Sequence, residues 1–178
     1  MPSYVAFLRA INLGATRKFP KDAIRTAVEA AGGTDVETYI NTGNVRFTST
    51  LRSRARVEAA LEKAFRADRG FDVPTIVLTL PELAEVAADA EELAAARPGD
   101  GRHYVSLLKE TPTQATVRQA EDLSSEAERV VVRGRAAHLM LGENYHEATL
   151  DNAAVEKTLG VATNRRDTVI IAMAKKWC

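Results

Sequence analysis

The chain has a single cysteine, and it is the last of its 178 residues, Cys178. One thiol closes no intrachain disulfide and builds no thiolate metal cluster. Aromatic residues are scarce, at 6%, which argues against a platform on which nucleic-acid bases stack. An excess of one charge is missing too: Lys and Arg total 24, and so do Asp and Glu. No net field therefore draws the chain to nucleic acid or to an anionic membrane. The N-terminal stretch MPSYVAFLRAINLG has no basic leader, and Arg9 interrupts its strand-length apolar run. It reads as neither a secretory signal nor a membrane span. There is no G-x-G-x-x-G or G-x-x-x-x-G-K-[ST] phosphate loop and no G-x-S-x-G elbow. His103, His138 and His146 lack ligand spacing and a neighbouring cysteine, so metal and cofactor are not expected and structural histidines are. The sequence reads as a soluble cytoplasmic protein.

What is present is patterned. Hydrophobic content of 46% with 27% charged residues is globular. Residues 4 to 12 read as a buried strand ending at Gly14. Pro20 opens a helix with Ile24, Ala27, Val28 and Ala31 on one face, and Gly32-Gly33 ends it. Residues 36 to 41 and 44 to 49 form a hairpin. A helix through Val57, Leu61 and Phe65 stops at Gly70, and residues 73 to 80 make a fourth strand. The order is βαββαβ over 1–80. A connecting helix over 81–97 leads to the turn cluster Arg97-Pro98-Gly99-Asp100-Gly101, the expected joint between halves. Over 98–178 the plan repeats. A strand at 103–108 precedes a helix at 113–123 started by Thr113. Short strands at 130–132 and 137–141 follow, and then a helix at 152–159 between Asp151 and Gly160. In place of the last strand, a C-terminal helix is expected from about Arg165 to Lys176. The fold class is α+β, with two ferredoxin-like halves, each an antiparallel sheet with helices packed on one face.

That topology converts order into position. Strand 1 ends at the edge where the strand 2–3 hairpin turns, so Asn12-Leu13-Gly14 should lie beside Asn41-Thr42-Gly43-Asn44, with Arg17 and Lys18 above. Alternation puts Val45 and Phe47 on one face of strand 3 and Asn44 and Arg46 on the other; Tyr39 then shares the open face with Arg46. The candidate small-ligand rim is Arg9, Asn12, Gly14, Arg17, Lys18, Tyr39, Asn41, Gly43 and Asn44. Its bland alternative is turn chemistry, because Asn and Gly tolerate positive φ and bond local backbone. In the second half, Lys109 should share a rim with Arg133-Gly134-Arg135.

The motifs Tyr4-Val5-Ala6-Phe7-Leu8-Arg9-Ala10-Ile11-Asn12-Leu13-Gly14 and Thr38-Tyr39-Ile40-Asn41-Thr42-Gly43-Asn44-Val45-Arg46-Phe47, with Leu159-Gly160-Val161-Ala162-Thr163 near the end, resemble the family catalogued as domain of unknown function 1697. The resemblance implies uncharacterised bacterial proteins of two ferredoxin-like halves. It brings no agreed activity, cofactor or catalytic residue. Two departures stand out. Ala10 occupies a family glycine position, and the run Thr163 to Val169 is a residue shorter than the family pattern and lacks its Asn-Trp pair.

A weaker anion-binding candidate is Asn164, Arg165 and Arg166, with Asn164 expected to cap the last helix and Asp167 to close a capping box. Two arginines in a first helical turn oppose the dipole, though such a terminus can hold an anion. Three function classes remain: a binding module for a small anionic ligand, an interaction or homodimerising protein, and an enzyme. The enzyme is least supported, since no nucleophile–base constellation can be named.

Overall fold

A computed structural model describes residues 1–97 and 101–178. The chain divides into two compact units, Met1–Leu83 with Trp177 and Ala84–Lys176 with Cys178. The core of the turn taken from the sequence as the joint, Pro98 to Asp100, lies outside the described residues.

The first unit holds β1 (Ser3–Leu8), α1 (Lys21–Ala30), β2 (Thr34–Tyr39), β3 (Asn44–Thr48), α2 (Arg54–Arg69) and β4 (Thr75–Thr79). All pairings are antiparallel and the strand order is β2-β3-β1-β4, as the βαββαβ reading requires. One sheet face (Tyr4, Ala6, Leu8, Val45, Phe47, Val77) packs with Ile24, Ala27 and Val28 of α1 and Val57, Leu61 and Phe65 of α2. The period-2 and period-3.6 patterns thus meet in one core. Phe19 and Phe65 pack edge to face at 5.2 Å inside it.

After α3 (Leu80–Ala96), the second unit continues with β5 (His103–Leu108), α4 (Gln114–Glu121), β6 (Glu128–Arg133), β7 (Ala136–Leu141), a 3-10 turn at Tyr145–Glu147, α5 (Asn152–Leu159), β8 (Ala162–Arg166) and α6 (Asp167–Trp177). Its sheet order, β6-β7-β5-β8, reproduces the first. Thr113 and Asp151 cap α4 and α5 through their side chains. Leu108, Val130, Leu139, Val155 and Leu159 lie in the helix-covered core. Arg135 donates to the Lys109 carbonyl at 3.4 Å, so the second-half rim forms as expected.

Three boundaries correct the sequence reading. The first strand stops at Leu8 rather than near residue 12, because Ala10 (φ 57) and Asn12 (φ 55) are left-handed and cannot continue a ladder. β2 stops at Tyr39; Ile40, expected on a strand, has φ 49 and is exposed. Most consequentially, the last strand is present as β8, and α6 begins at Asp167. Ala162-Thr163-Asn164-Arg165-Arg166 has no apolar alternation to announce a strand. It is fixed by long-range pairing with β5 (Leu108 opposite Ala162 through Tyr104 opposite Arg166), which overrides local preference. Asn164 is therefore not a helix cap. Arg166 holds that position, and no side chain caps α6.

The outer strands are sealed by side chains. Glu62, Glu58 and Glu82 accept from the backbone N–H groups of Thr75, Val77 and Thr79 on β4, at 2.9, 3.1 and 2.8 Å. Ser124 and Glu121 do the same for Val130 and Val132 on β6, and Glu156 for Ala162 on β8. β2 carries a register shift between Thr34 and Glu37 instead. Each device blunts an edge against strand addition. Glu58 is buried, so Glu58→Ala is expected to lose about 1–3 kcal/mol by stranding the Val77 donor. Glu58→Gln, which retains an acceptor oxygen, should lose less in the same urea titration.

Candidate functional site

The two turns of the first unit do meet. Asn12 Nδ2 donates to the Asn41 carbonyl at 2.9 Å and to the Phe19 carbonyl at 3.1 Å, while Asn12 Oδ1 accepts from Phe19 N–H at 2.8 Å. Asn44 is 1% exposed, and its amide donates to the Tyr39 carbonyl and the Thr42 hydroxyl. The Gly43 carbonyl accepts from Leu8 N–H, and Arg9 N–H donates to the Pro74 carbonyl. The Arg17 guanidinium donates to the Ala10 carbonyl and, at 2.6 Å, to the Asp72 carbonyl, and it sits 4.5 Å from the Phe71 ring centroid. Lys18, Gly14 and Asn41 are exposed and Tyr39 is half-buried. The side-chain donors of Asn12, Arg17 and Asn44 thus serve backbone carbonyls and a neighbouring hydroxyl, which is how the rim keeps its shape.

That loop concentrates backbone strain: Ala10, Asn12, Gly14 and Arg17 all have φ between 53 and 58. A non-glycine residue in this region costs about 1–2 kcal/mol, which accounts for glycine at the position of Ala10 in the motif it resembles. Ala10→Gly is expected to raise stability by about 0.5–1 kcal/mol after the larger backbone entropy of glycine in the unfolded chain is counted. A thermal melt of the variant checks it.

The second unit has a cleft of about 350 Å³ where the start of β5 meets the end of β8 and the first turn of α6. Three guanidinium groups border it: Arg97, Arg102 and Arg166. Arg102 donates to the hydroxyls of Tyr104 and Tyr145 and stacks 4.1 Å from the Tyr145 ring centroid. Arg97 donates to the Met140 and Ala127 carbonyls. Arg166 lies 5.6 Å from the Tyr104 ring centroid, and its Nε is buried with no acceptor. Among the described residues none of these three pairs with a carboxylate. By contrast, Arg133 is held by Asp89 at 2.9 Å and by Glu92 at 3.2 Å. Among the described residues, the carboxylates lining the cleft are Glu143 and Asp167.

Of the sequence-predicted anion site, only Arg166 reaches the cleft. Asn164 pairs with Ser106 inside the sheet. Arg165 alternates to the opposite face, where it is buried and donates to Thr163 Oγ1 and the Asn164 carbonyl. Burial pushes its guanidinium down to about 10, so it stays charged at neutral pH.

His103 also lines the cleft, a residue that spacing alone did not single out. It sits opposite Met140 on β7, one diagonal step from His138. The two rings meet, His103 Nε2 to His138 Nδ1, at 3.0 Å. Nδ1 of His103 is buried without a hydrogen bond, 3.7 Å from Asp167 Oδ2. Burial pushes both imidazoles below their ordinary range; Asp167 opposes the shift in His103, and His138 falls to about 4, helped by the charge of its partner ring. An unfolded histidine titrates near 6.5. Between about 6.5 and about 4 the unfolded chain therefore binds protons that the folded chain refuses. Stability is expected to fall as the pH drops through that window, and urea unfolding at pH 7 and pH 5 reads it directly.

A family described as "Protein of unknown function (DUF1697)" matches residues 1–138. The chain belongs to the DUF1697 family. The matched DUF1697 span includes the rim, Arg102 and both paired histidines; Arg166, Asp167 and Thr168 lie beyond it. The fold is similar to that of a conserved bacterial protein from Streptococcus pneumoniae, SP0830. The TM-score is 0.75 at 22% identity, over 99% of this chain and 98% of that one. No curated protein matches. No described helix is long and apolar enough to cross a membrane. No group of three or more His, Cys, Asp or Glu among the described residues could hold a metal ion.

Proposed function

We propose that this DUF1697 protein is a binding module for a small anionic ligand, seated in the cleft of its second unit. The observation that carries this reading is the set of three arginines around one cleft that have no carboxylate partner among the described residues. The rim of the first unit is less suited, because none of its named residues presents a buried side-chain donor without an acceptor, as Arg166 Nε does in the cleft. Two features support the cleft. Arg166 Nε is a buried donor without an acceptor, a state that an incoming oxyanion would relieve. The first turn of α6 has no side-chain cap, so its N–H groups and dipole favour negative charge.

Calorimetry with sulfate should give binding that Arg166→Gln or Arg102→Gln weakens at least tenfold, about the 1.4 kcal/mol that one hydrogen bond to a charged group contributes. Lys18→Ala, at the rim, should leave it unchanged. Loss of binding in Lys18→Ala with retention in Arg166→Gln would place the site at the rim and overturn the cleft.

A second reading, an interaction end, rests on Leu13 and Ile40, which are 53% and 41% exposed beside the joined turns. Light scattering across a concentration series tests it. A monomer throughout removes self-association.

A further inference from the structure

We infer that the cleft takes up a proton with its ligand: a tetrahedral dianion, such as the phosphate of a small monoester, bound against Arg102 and Arg166 draws one proton onto the His103–His138 pair, so that affinity rises as the pH falls. This deepens the anion-binding reading and rests on it.

The first ground is the proton count of the pair. Two neutral imidazoles carry two protons on four nitrogens. One proton lies in the 3.0 Å bond between His103 Nε2 and His138 Nδ1, so the other occupies only one of the two outer nitrogens. Both outer nitrogens, His103 Nδ1 and His138 Nε2, are buried without a hydrogen bond, and Asp167 stands 3.7 Å from the first of them. The neutral pair therefore keeps one bare lone pair where a proton can be added. His103 is 7% exposed and lines the cleft next to Asp167 and Thr168 at the start of α6. A proton added to the pair makes Nδ1 a donor facing that end.

The second ground is charge balance. Among the described residues lining the cleft, three arginines stand against two carboxylates, Glu143 and Asp167, so positive charge exceeds negative by one among them. A dianion leaves one uncompensated negative charge in a partly buried site, and one proton on the imidazole pair cancels it. Several charged groups surround the pair. Asp167 of α6 approaches His103, and Arg166 of β8 and Arg102 share its cleft. Buried Arg165 of β8 lies on the same sheet face, since Val105 stands opposite both it and His138. Asp89 of α3 and Arg133 of β6 act on His138. Asp89 and Arg133 are bonded to each other, so their fields largely offset. Without ligand, burial holds both rings neutral at pH 7; a bound negative charge removes that bias.

The third ground is shape. Leu93, Met140 and Leu141 add apolar lining to the cleft. A volume near 350 Å³ accommodates a phosphate carrying a small organic group and exceeds what a bare oxyanion fills.

Sulfate is the probe, because it stays a dianion across the range and brings no titration of its own. Calorimetry from pH 8 to pH 5.5, with circular dichroism at each pH to confirm the fold, should show affinity rising up to tenfold per pH unit, the slope for uptake of one proton. In the wild-type protein the NMR midpoint of the His103 ring proton should move upward on adding sulfate. His103→Gln should still bind sulfate, with a flat pH profile. Sulfate binding that is pH-independent in the wild type, or a sloped profile that survives in folded His103→Gln, overturns the proton coupling and leaves the anion site standing. No sulfate binding at any pH overturns both. Should His103→Gln fail to fold, the wild-type NMR midpoint decides, and an unmoved midpoint overturns the coupling.

Discussion

Replacing Asn12 by alanine is expected to destabilise the chain by about 2–4 kcal/mol, the largest loss from any single exposed or half-buried polar side chain discussed above. The amide makes three bonds: to the Asn41 and Phe19 carbonyls and from the Phe19 N–H. Each contributes about 0.5–1.5 kcal/mol net. Alanine must also hold φ 55, a conformation asparagine tolerates because its side chain can bond nearby backbone. Urea unfolding separates the contributions. Asn12→Gly relieves the backbone but not the lost bonds, so it should recover only part of the stability. Asn12→Asp keeps the acceptor for Phe19 N–H but sets a carboxylate against two carbonyls, so it should fall near alanine. A loss below about 1 kcal/mol in Asn12→Ala would mean that the turns hold together without their tie.

Gly43→Ala should cost a similar amount, about 2–5 kcal/mol, by a different route. At φ 81, a Cβ on Gly43 would come within 2.8 Å of both Leu8 Cβ and Ile11 Cδ1. The backbone term is about 1–2 kcal/mol and the overpacking about 1–3. Leu8 and Ile11 are buried, so neither can yield cheaply. Gly14→Ala is the control. It has φ 58 but an added Cβ would meet nothing within 4 Å, so it should pay the backbone term alone. If the two glycine variants melt alike, close approach at Gly43 is not what fixes the hairpin against the end of β1.

The sequence by itself determined the element plan of the first half, because each local signal there agrees with the tertiary arrangement. Ile24, Val28, Leu61 and Phe65 fall at helical spacing and Val45 and Phe47 at strand spacing, and all converge in one core. It also determined that Asn12 and Asn41 meet, since the βαββαβ order leaves the end of strand 1 and the hairpin turn one place to go. Thr113, Asp151 and Gly70 announced their helix ends by residue type. Tertiary structure alone decided the rest. β8 carries polar residues whose strand conformation comes from pairing with β5, not from their own preference. That one-strand difference turned Arg165 away from Arg166, removed Asn164 from the helix terminus and brought Arg166 and Asp167 beside His103. His103 and His138 stand 35 residues apart in sequence. No spacing rule links them, because their meeting depends on the register of β5 against β7. Local periodicity decides which face of an element is buried. Which polar residues from separate strands come to share a cleft is set by strand pairing, which no single segment encodes.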